Sequence, residues 1–254
     1  MRKTLGQRMK EYEYVTDIKL IKNMPVIIRL DGRAFHTFTK GLKKPFDNVF
    51  NDCMVFTMKY LCENINNCVF GYTQSDEITL VLFAKDDNSE TWFGNRLQKV
   101  VSISSSMATL AFNKKFLECC NDQKQDILSQ KLFMAMFDAR AFNIPIEDVV
   151  NNIIWRQNDA TKNSINSVAQ ANFSFKELQG KKCSEMQDML MLQKEINWNN
   201  TPTMFKRGCC CIRKEVEVVT PNGKTNRNKW IIDYEMPILS QNKEYLERLL
   251  KEGK

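Results

Sequence analysis

The strongest constraint on the fold is the order in which apolar segments of two periodicities alternate between Met24 and Asn143. Met24–Leu30 (MPVIIRL) is apolar and β-branched and stops at Asp31–Gly32, a turn pair, so it reads as a buried strand. After Pro45, the residues Phe46, Val49, Phe50, Cys53, Phe56, Tyr60 and Leu61 recur at helical spacing. Cys68–Tyr72 and Ile78–Phe83 read as two strands joined by Thr73–Glu77, which makes a hairpin. Phe93, Leu97, Val100, Ser104, Met107, Ala108 and Ala111 share one face of a second helix, and Lys131–Asn143 reads as a fourth strand. Strand, helix, strand, strand, helix, strand is the order of the ferredoxin-like split βαβ unit, an antiparallel sheet with helices on one face.

Beyond Pro145 the pattern changes. Glu147–Phe173 reads as one or two helices rich in Asn and Gln, and Glu177–Lys194 as a shorter amphipathic stretch. Val216–Val219 and Trp230–Asp233 read as a hairpin with Asn222–Gly223 in its turn. The expected fold is therefore α+β. A catalytic domain over residues 1–145 resembles the palm of nucleic-acid polymerases and nucleotidyl cyclases. A mostly helical region with a hairpin, residues 146–254, is expected to pack on it and to supply RNA and subunit contacts.

Composition narrows the class. At 254 residues the chain can bury a full core without staples. No run approaches the roughly 18 apolar residues of a membrane span, so no membrane association is expected. The N-terminus lacks an apolar signal core, and Glu11 and Glu13 argue against a transit peptide. The expected compartment is cytoplasmic, with an organellar home left open. Nine cysteines in adjacent runs, with no C-x-x-C pair and only one histidine, suit neither a disulfide framework nor a zinc finger; reduced, partly buried thiols are expected. Between Lys176 and Lys229, 11 Lys/Arg stand against 6 Asp/Glu, which fits either a solvated basic surface or an RNA-binding face.

The chemistry is expected where the strands end. Asp31 and the pair Asp76–Glu77 are 45 residues apart in sequence, yet pairing of the first strand with the hairpin would bring them together. Converging carboxylates repel unless a cation lies between them. Magnesium, which takes oxygen ligands and keeps waters and phosphates in its shell, suits such a pair, and two ions about 3.5–4 Å apart would serve phosphoryl chemistry. Gly32, Arg33, Ala34, Phe35 and His36 follow as a turn whose N–H groups could cradle a triphosphate, with Lys43 and Lys44 nearby. His36 reads equally as a donor to the nucleotide or as a packing residue. P-loop and Rossmann motifs are absent.

Arg29–His36 (RLDGRAFH) and Gly71–Glu77 (GYTQSDE) closely resemble the two metal-site motifs of the tRNA-His guanylyltransferase family. The likeness continues through Phe137–Arg140, Trp155–Asp159, Asn197–Asn200 and Phe205–Gly208, and so runs over about residues 5–215. The resemblance implies metal ligation by Asp31, the Gly32 carbonyl and Asp76, nucleotide contacts from Asp31 through His36 with Ser75 and Asp76, and a catalytic role for Asp31, Asp76 and Glu77. Lys44, Lys206 and Arg207 are expected at phosphates on charge and position, and Arg29, Arg156 and Asn163 complete the candidate phosphate and tRNA contacts. Trp198 and Phe205 lie among the basic residues of that region.

One departure bears on the reaction. Dedicated eukaryotic members carry His-Ile-Asn-Asn after the Trp-Arg-Gln motif; here the stretch is Thr161-Lys162-Asn163-Ser164, with only Asn163 matching. The chain thus resembles the guanylyltransferase-like branch. That branch implies template-dependent 3′-to-5′ addition of nucleotides to the 5′ end of truncated tRNA, with ATP activating a 5′-monophosphate and GTP or other nucleoside triphosphates as substrates. The alternatives are addition of a single 5′ guanosine to tRNA-His, a forward palm polymerase or nucleotidyl cyclase, and an RNA-binding module without chemistry. The resemblance also implies a homotetramer, a dimer of dimers.

Overall fold

The computed structural model describes residues 3–84, 89–123, 126–220 and 223–252. In chain order its elements are α1 (Leu5–Tyr14), β1 (Val26–Gly32), α2 (Phe35–Phe38), α3 (Asn48–Asn64), β2 (Cys68–Gln74), β3 (Glu77–Leu82), α4 (Leu97–Gln123), α5 (Asp126–Ser129) and β4 (Phe137–Asn143). There follow α6 (Ile146–Asn172), α7 (Phe175–Leu178), α8 (Cys183–Lys194), α9 (Thr203–Arg207), β5 (Cys209–Thr220), β6 (Gly223–Asp233) and α10 (Lys243–Glu252).

The six strands form one antiparallel sheet in the order β4-β1-β3-β2-β5-β6. The first four elements of the expected sheet are all present, as a mixed α+β fold. The fourth strand is shorter than expected: Lys131–Met136 is taken up by a turn in which Phe133 adopts a left-handed φ of 60°, so the ladder starts only at Phe137. Glu147–Phe173 resolves into a single 27-residue helix, α6. The hairpin is much longer than expected and is no appendage. Cys209–Cys211 pairs with Thr73–Gly71, so β5 and β6 continue the sheet. The turn placed at Asn222–Gly223 lies partly outside the described residues.

Strand parity sorts side chains between two cores. Val26, Ile28 and Leu30 of β1 join Ile78, Leu80 and Leu82 of β3 on one face, covered by α3 and α4. Ile27 and Val81 face the other way, against Val149, Val150 and Ile153 of α6 and Leu246 of α10. Helices thus cover both faces, where the sequence pattern indicated one; the second layer comes from beyond Pro145. The three consecutive cysteines obey the same parity, with Cys209 and Cys211 in the first core and Cys210 in the second. All nine cysteines are free thiols. A third cluster, between α6 and α8, holds Ile165, Val168, Phe173, Met186 and Leu190. Helix starts are chemically marked: Asp47 caps α3 by accepting from Phe50 N at 2.9 Å, and Glu147 and Asp148 occupy the first turn of α6. Among the described residues no helix is long and apolar enough to cross a membrane.

Candidate functional site

The two carboxylate motifs meet at one end of the sheet. Asp31 is the Cα partner of Glu77 on one side and of Asp138 on the other. Past the ladder, Gly32 N donates to Asp76 O at 3.0 Å, which ties the end of β1 to the β2–β3 turn. That turn is tight because Ser75 takes a left-handed φ of 50°, and its hydroxyl donates to Asp76 Oδ1 at 3.0 Å. Gly32 is required sterically: a Cβ there would lie 2.0 Å from the Phe35 ring. After it, Ala34 takes a left-handed φ of 54° and starts α2, in which Thr37 N and Phe38 N donate to Ala34 O, leaving the Phe35 and His36 N–H groups without a partner in that helix.

The electrostatics reflect this convergence. Burial, then the charges of Asp76 and Asp138, hold the Asp31 carboxyl above the ordinary carboxylate range, while Arg140 and Arg29 oppose the shift. Burial also raises Asp76, although its backbone and the Ser75 hydroxyl favour the ionised form and His36 adds a cationic influence. Two carboxylates strained toward neutrality, with the main chain of Gly32 between them, form a donor set suited to magnesium, which needs only one or two carboxylates when phosphates and waters complete its shell. Among the described residues no three His, Cys, Asp or Glu side chains converge as a metal cluster, so a site built wholly of side chains does not fit.

Beside Ser75 opens a cleft of about 260 Å³. Lys43, Lys44, Phe46, Asp47, Asn163 and Gly208 are among its lining residues. The structure therefore brings Lys44, Ser75 and Asn163 into one wall-to-wall space adjoining Asp76. Gly208, with a φ of +80°, lets α9 close onto β2; a Cβ there would come within 2.4 Å of Thr73 O. His36 is exposed near Asp76, which removes the packing reading for it. Arg33 is also exposed, its N–H bonded to Met136 O at 2.9 Å.

Several sequence expectations are corrected. Arg156, expected at a phosphate, is buried, and its guanidinium grips Glu77 through Nε–Oε1 at 2.6 Å and Nη2–Oε2 at 2.5 Å. The same bonds occupy both oxygens of Glu77, so this carboxylate is held in an ion pair instead of standing free beside Asp76. The Phe35 ring is buried among Phe38, Phe50, Phe112 and Phe137, leaving only its backbone for a nucleotide. Lys206 is half-buried, with Nζ donating to Asn199 O at 2.6 Å; burial, then Arg207, lowers its pKa. It fastens a turn and does not reach outward. Trp198 donates to Ser164 Oγ at 3.0 Å and is structural, while Phe205 stacks on Phe46 at 4.7 Å and with it lines the cleft. Arg207 enters no ion pair among the described residues, while its carbonyl accepts from Tyr72 OH at 2.6 Å.

Asp138, Arg140 and Trp155 fall in segments that carry the resemblance, but sequence reasoning assigned them no role at the site. Asp138 and Arg140 alternate with the inward residues Phe137, Ala139 and Ala141, a strand signal that could have placed them on the Asp31 face. Within the basic stretch Lys176–Lys229, the structure gathers part of the charge on one face of the hairpin. Lys214 lies directly opposite Lys229, and Val216 opposite Arg227, on the side of the sheet that Asp31 shares. Like charges directly opposed are unfavourable, and none of these three enters an ion pair among the described residues. The hairpin's other face is mixed, with Glu217 on Lys224 at 2.8 Å.

Comparisons with known proteins point to one family. The family profile described as tRNAHis guanylyltransferase matches residues 6–145. A bacterial tRNA(His) guanylyltransferase-like protein solved in complex with ATP is 42% identical, with a TM-score of 0.85 over 97% of this chain and 98% of that one. Such a protein solved in complex with GTP is 41% identical, with a TM-score of 0.80 over 97% of this chain and 99% of that one. A probable tRNA(His) guanylyltransferase of Dictyostelium discoideum is 26% identical over 92% of this chain and 96% of its own length.

Proposed function

We propose, from the premise that this chain belongs to the tRNAHis guanylyltransferase family and is a nucleotidyltransferase, that it adds nucleotides in the 3′-to-5′ direction to the 5′ end of truncated tRNA, directed by the opposing strand. The observation that carries this reading is the meeting of Asp31 and Asp76 at one sheet end, joined by the Gly32–Asp76 bond, beside a cleft lined by Lys44, Ser75 and Asn163. The absence of the His-Ile-Asn-Asn sequence, with only Asn163 kept, and the likeness to guanylyltransferase-like proteins favour templated addition over obligatory addition of one guanosine.

In this reading the cleft binds the nucleoside triphosphate, ATP for activation and then the incoming GTP or other NTP. Lys44 faces its phosphates together with the Phe35 and His36 N–H groups, and the His36 and Arg33 side chains lie on the open side as donors. A 5′-monophosphate attacks ATP at its α-phosphorus, giving a 5′-adenylylated end and releasing pyrophosphate. The 3′-hydroxyl of the paired NTP then attacks the 5′-phosphorus and AMP leaves. Asp31, the Gly32 carbonyl and Asp76 would hold magnesium, as two ions, which when bound supply neutralisation of the phosphates and a lowered pKa for the attacking hydroxyl. Glu77 and Arg156 orient the turn that presents Asp76. The cationic face of the hairpin (Lys214, Arg227 and Lys229) is the surface for the tRNA backbone. Tetrameric assembly belongs to the same proposal: α1 has no buried residue and exposes Leu5, Met9 and Tyr12, and solution mass tests it.

The deciding experiment supplies a tRNA lacking its first 5′ nucleotide with ATP, magnesium and labelled NTPs one at a time. Incorporation at the 5′ end of only the nucleotide complementary to the opposing base is expected. Addition of guanosine alone, whatever the opposing base, would overturn the templated reading.

A further inference from the structure

Trp155 is 52% exposed although its neighbour Arg156 is buried. Nothing in the packing of α6 calls for a large aromatic at that place. What surrounds it does give it a position. Its ring lies against the Arg156 guanidinium at 4.5 Å and the Arg29 guanidinium at 5.7 Å. Arg156 holds Glu77, the residue after Asp76, and Arg29 precedes Asp31 by two on the same face of β1. The ring is thus fixed from both arms of the carboxylate site.

The sheet face beneath it is charged in two rows. Asp31 pairs with Asp138, and Arg29 pairs with Arg140, whose charge reaches Asp31. Moving away from the carboxylates on this face, the chain therefore offers acids, then arginines, then an open aromatic ring. The cleft of Ser75, Lys44 and Asn163 lies to the other side, on β2, α3 and α6. The arginine and tryptophan row thus borders Asp31 on the side away from the cleft, where a nucleic-acid end would lie while the cleft holds a nucleotide. Aromatic rings flanked by arginines are the usual platform for an unpaired or terminal base, because every base has a face to stack and a phosphate to neutralise.

We infer that Trp155 is the stacking platform for the 5′-terminal nucleotide of the RNA, with Arg29 and Arg140 flanking its phosphate. This rests on the proposed action at tRNA 5′ ends. Rigidity is part of the design: Arg156 is immobilised by Glu77, and the ring is immobilised on Arg156, so the base is positioned from the same ion pair that orients the Asp76 turn.

The test uses the full-length protein and a 5′-truncated tRNA carrying 2-aminopurine at its new 5′ terminus, mixed without nucleoside triphosphate so that no chemistry intervenes. Stacking on Trp155 is expected to quench the fluorophore. Trp155→Leu should abolish the quench and weaken RNA binding about tenfold, whereas Trp155→Phe should keep most of both. In turnover the Leu variant should raise KM for RNA and leave KM for the NTP unchanged. Undiminished quenching and affinity in Trp155→Leu would overturn the inference. A rise in NTP KM alone would assign the ring to the incoming nucleotide, and a fall in oligomer mass would assign it to a second copy of this chain; either also overturns it. If the wild-type protein quenches the terminal base yet adds nothing to that end, the functional reading fails while the platform stands.

Discussion

The four strands β4, β1, β3 and β2 and the β5–β6 hairpin belong to one sheet, yet they meet different surroundings. β1, β3 and β2 carry helices on both faces, β4 leaves Asp138 and Arg140 exposed on one, and their ends are fixed by a tight turn, a buried ion pair and a glycine whose Cβ would meet the Phe35 ring. The β5–β6 ladder leaves that double cover after Ile212 and exposes every described side chain from Arg213 to Lys229. In the first region charges converge where they repel; in the second they are spread along one face in water. The contrast teaches that chemistry needs carboxylates held against their preference by a rigid frame, whereas backbone recognition needs only accessible cations at a long reach.

The largest effect should come from breaking the convergence itself. Asp31→Ala or Asp76→Ala should lower kcat for 5′ addition on the order of 10³-fold or more, since several kcal/mol of transition-state stabilisation would go. Circular dichroism and RNA affinity should change little, because neither side chain supports the core. Activity retained in purified Asp76→Ala protein would refute the assignment of the site.

Next in size is the frame. Removing one partner of a buried ion pair leaves the other charged and unsolvated, at a cost of about 3–5 kcal/mol. Arg156→Ala should lose stability of that order in urea unfolding. Combining it with Glu77→Gln, which removes the stranded charge, should recover a large part. An Arg156→Ala protein as stable as the wild type would mean that the pair is dispensable, and the Asp76 turn would then need another support.

These two regions were unequally legible in the sequence. The β-branched run MPVIIRL ending at Asp31–Gly32 and the paired Gly71–Glu77 segment gave the sheet and its carboxylate end, because strand period and turn residues are local signals. Glu77 and Arg156 were each noticed, but their union was not: it spans 79 positions and depends on α6 crossing the sheet face. Lys206, Trp198 and Phe205 looked like an RNA surface because charge and aromaticity can be read from sequence while direction cannot. The run Cys209–Cys211 carries no polar alternation, so nothing local showed it as the strand that joins the hairpin to β2.

The hairpin comes third. Replacing Lys214, Arg227 and Lys229 together by alanine should weaken tRNA binding about tenfold at low salt and reduce the slope of log affinity against log salt by about 2–3. Unfolding free energy should be nearly unchanged, as all three are exposed, and removing the Lys214–Lys229 opposition works in the stabilising direction. If affinity and slope both stay at wild-type values, the ribbon is a solvated surface and the tRNA backbone lies elsewhere.

The smallest effect sharpens the comparison most, because it reads the strain in the carboxylate end directly. Asp31 and Asp76 both have folded-state pKa values raised by burial, Asp31 also by its acidic neighbours. A raised carboxyl pKa means that the folded state binds the proton more tightly than the unfolded chain does. The resulting stability is fully present below the ordinary carboxylate range and is lost as pH rises through the raised value. Above that raised value, without a divalent cation, the fold bears the desolvation and repulsion of the ionised carboxylates. Asp31→Asn should therefore raise the thermal midpoint of the cation-free protein at pH 7 by about 1–2 °C, the scale of a few tenths of a kcal/mol in a chain this size, and flatten its loss of stability on the acid side of neutrality. Added magnesium should raise the wild-type midpoint and leave the variant's nearly where it was. A lower midpoint for Asp31→Asn at pH 7 would show that the carboxylate supports the fold, and the view of this sheet end as held against its own electrostatics would be wrong.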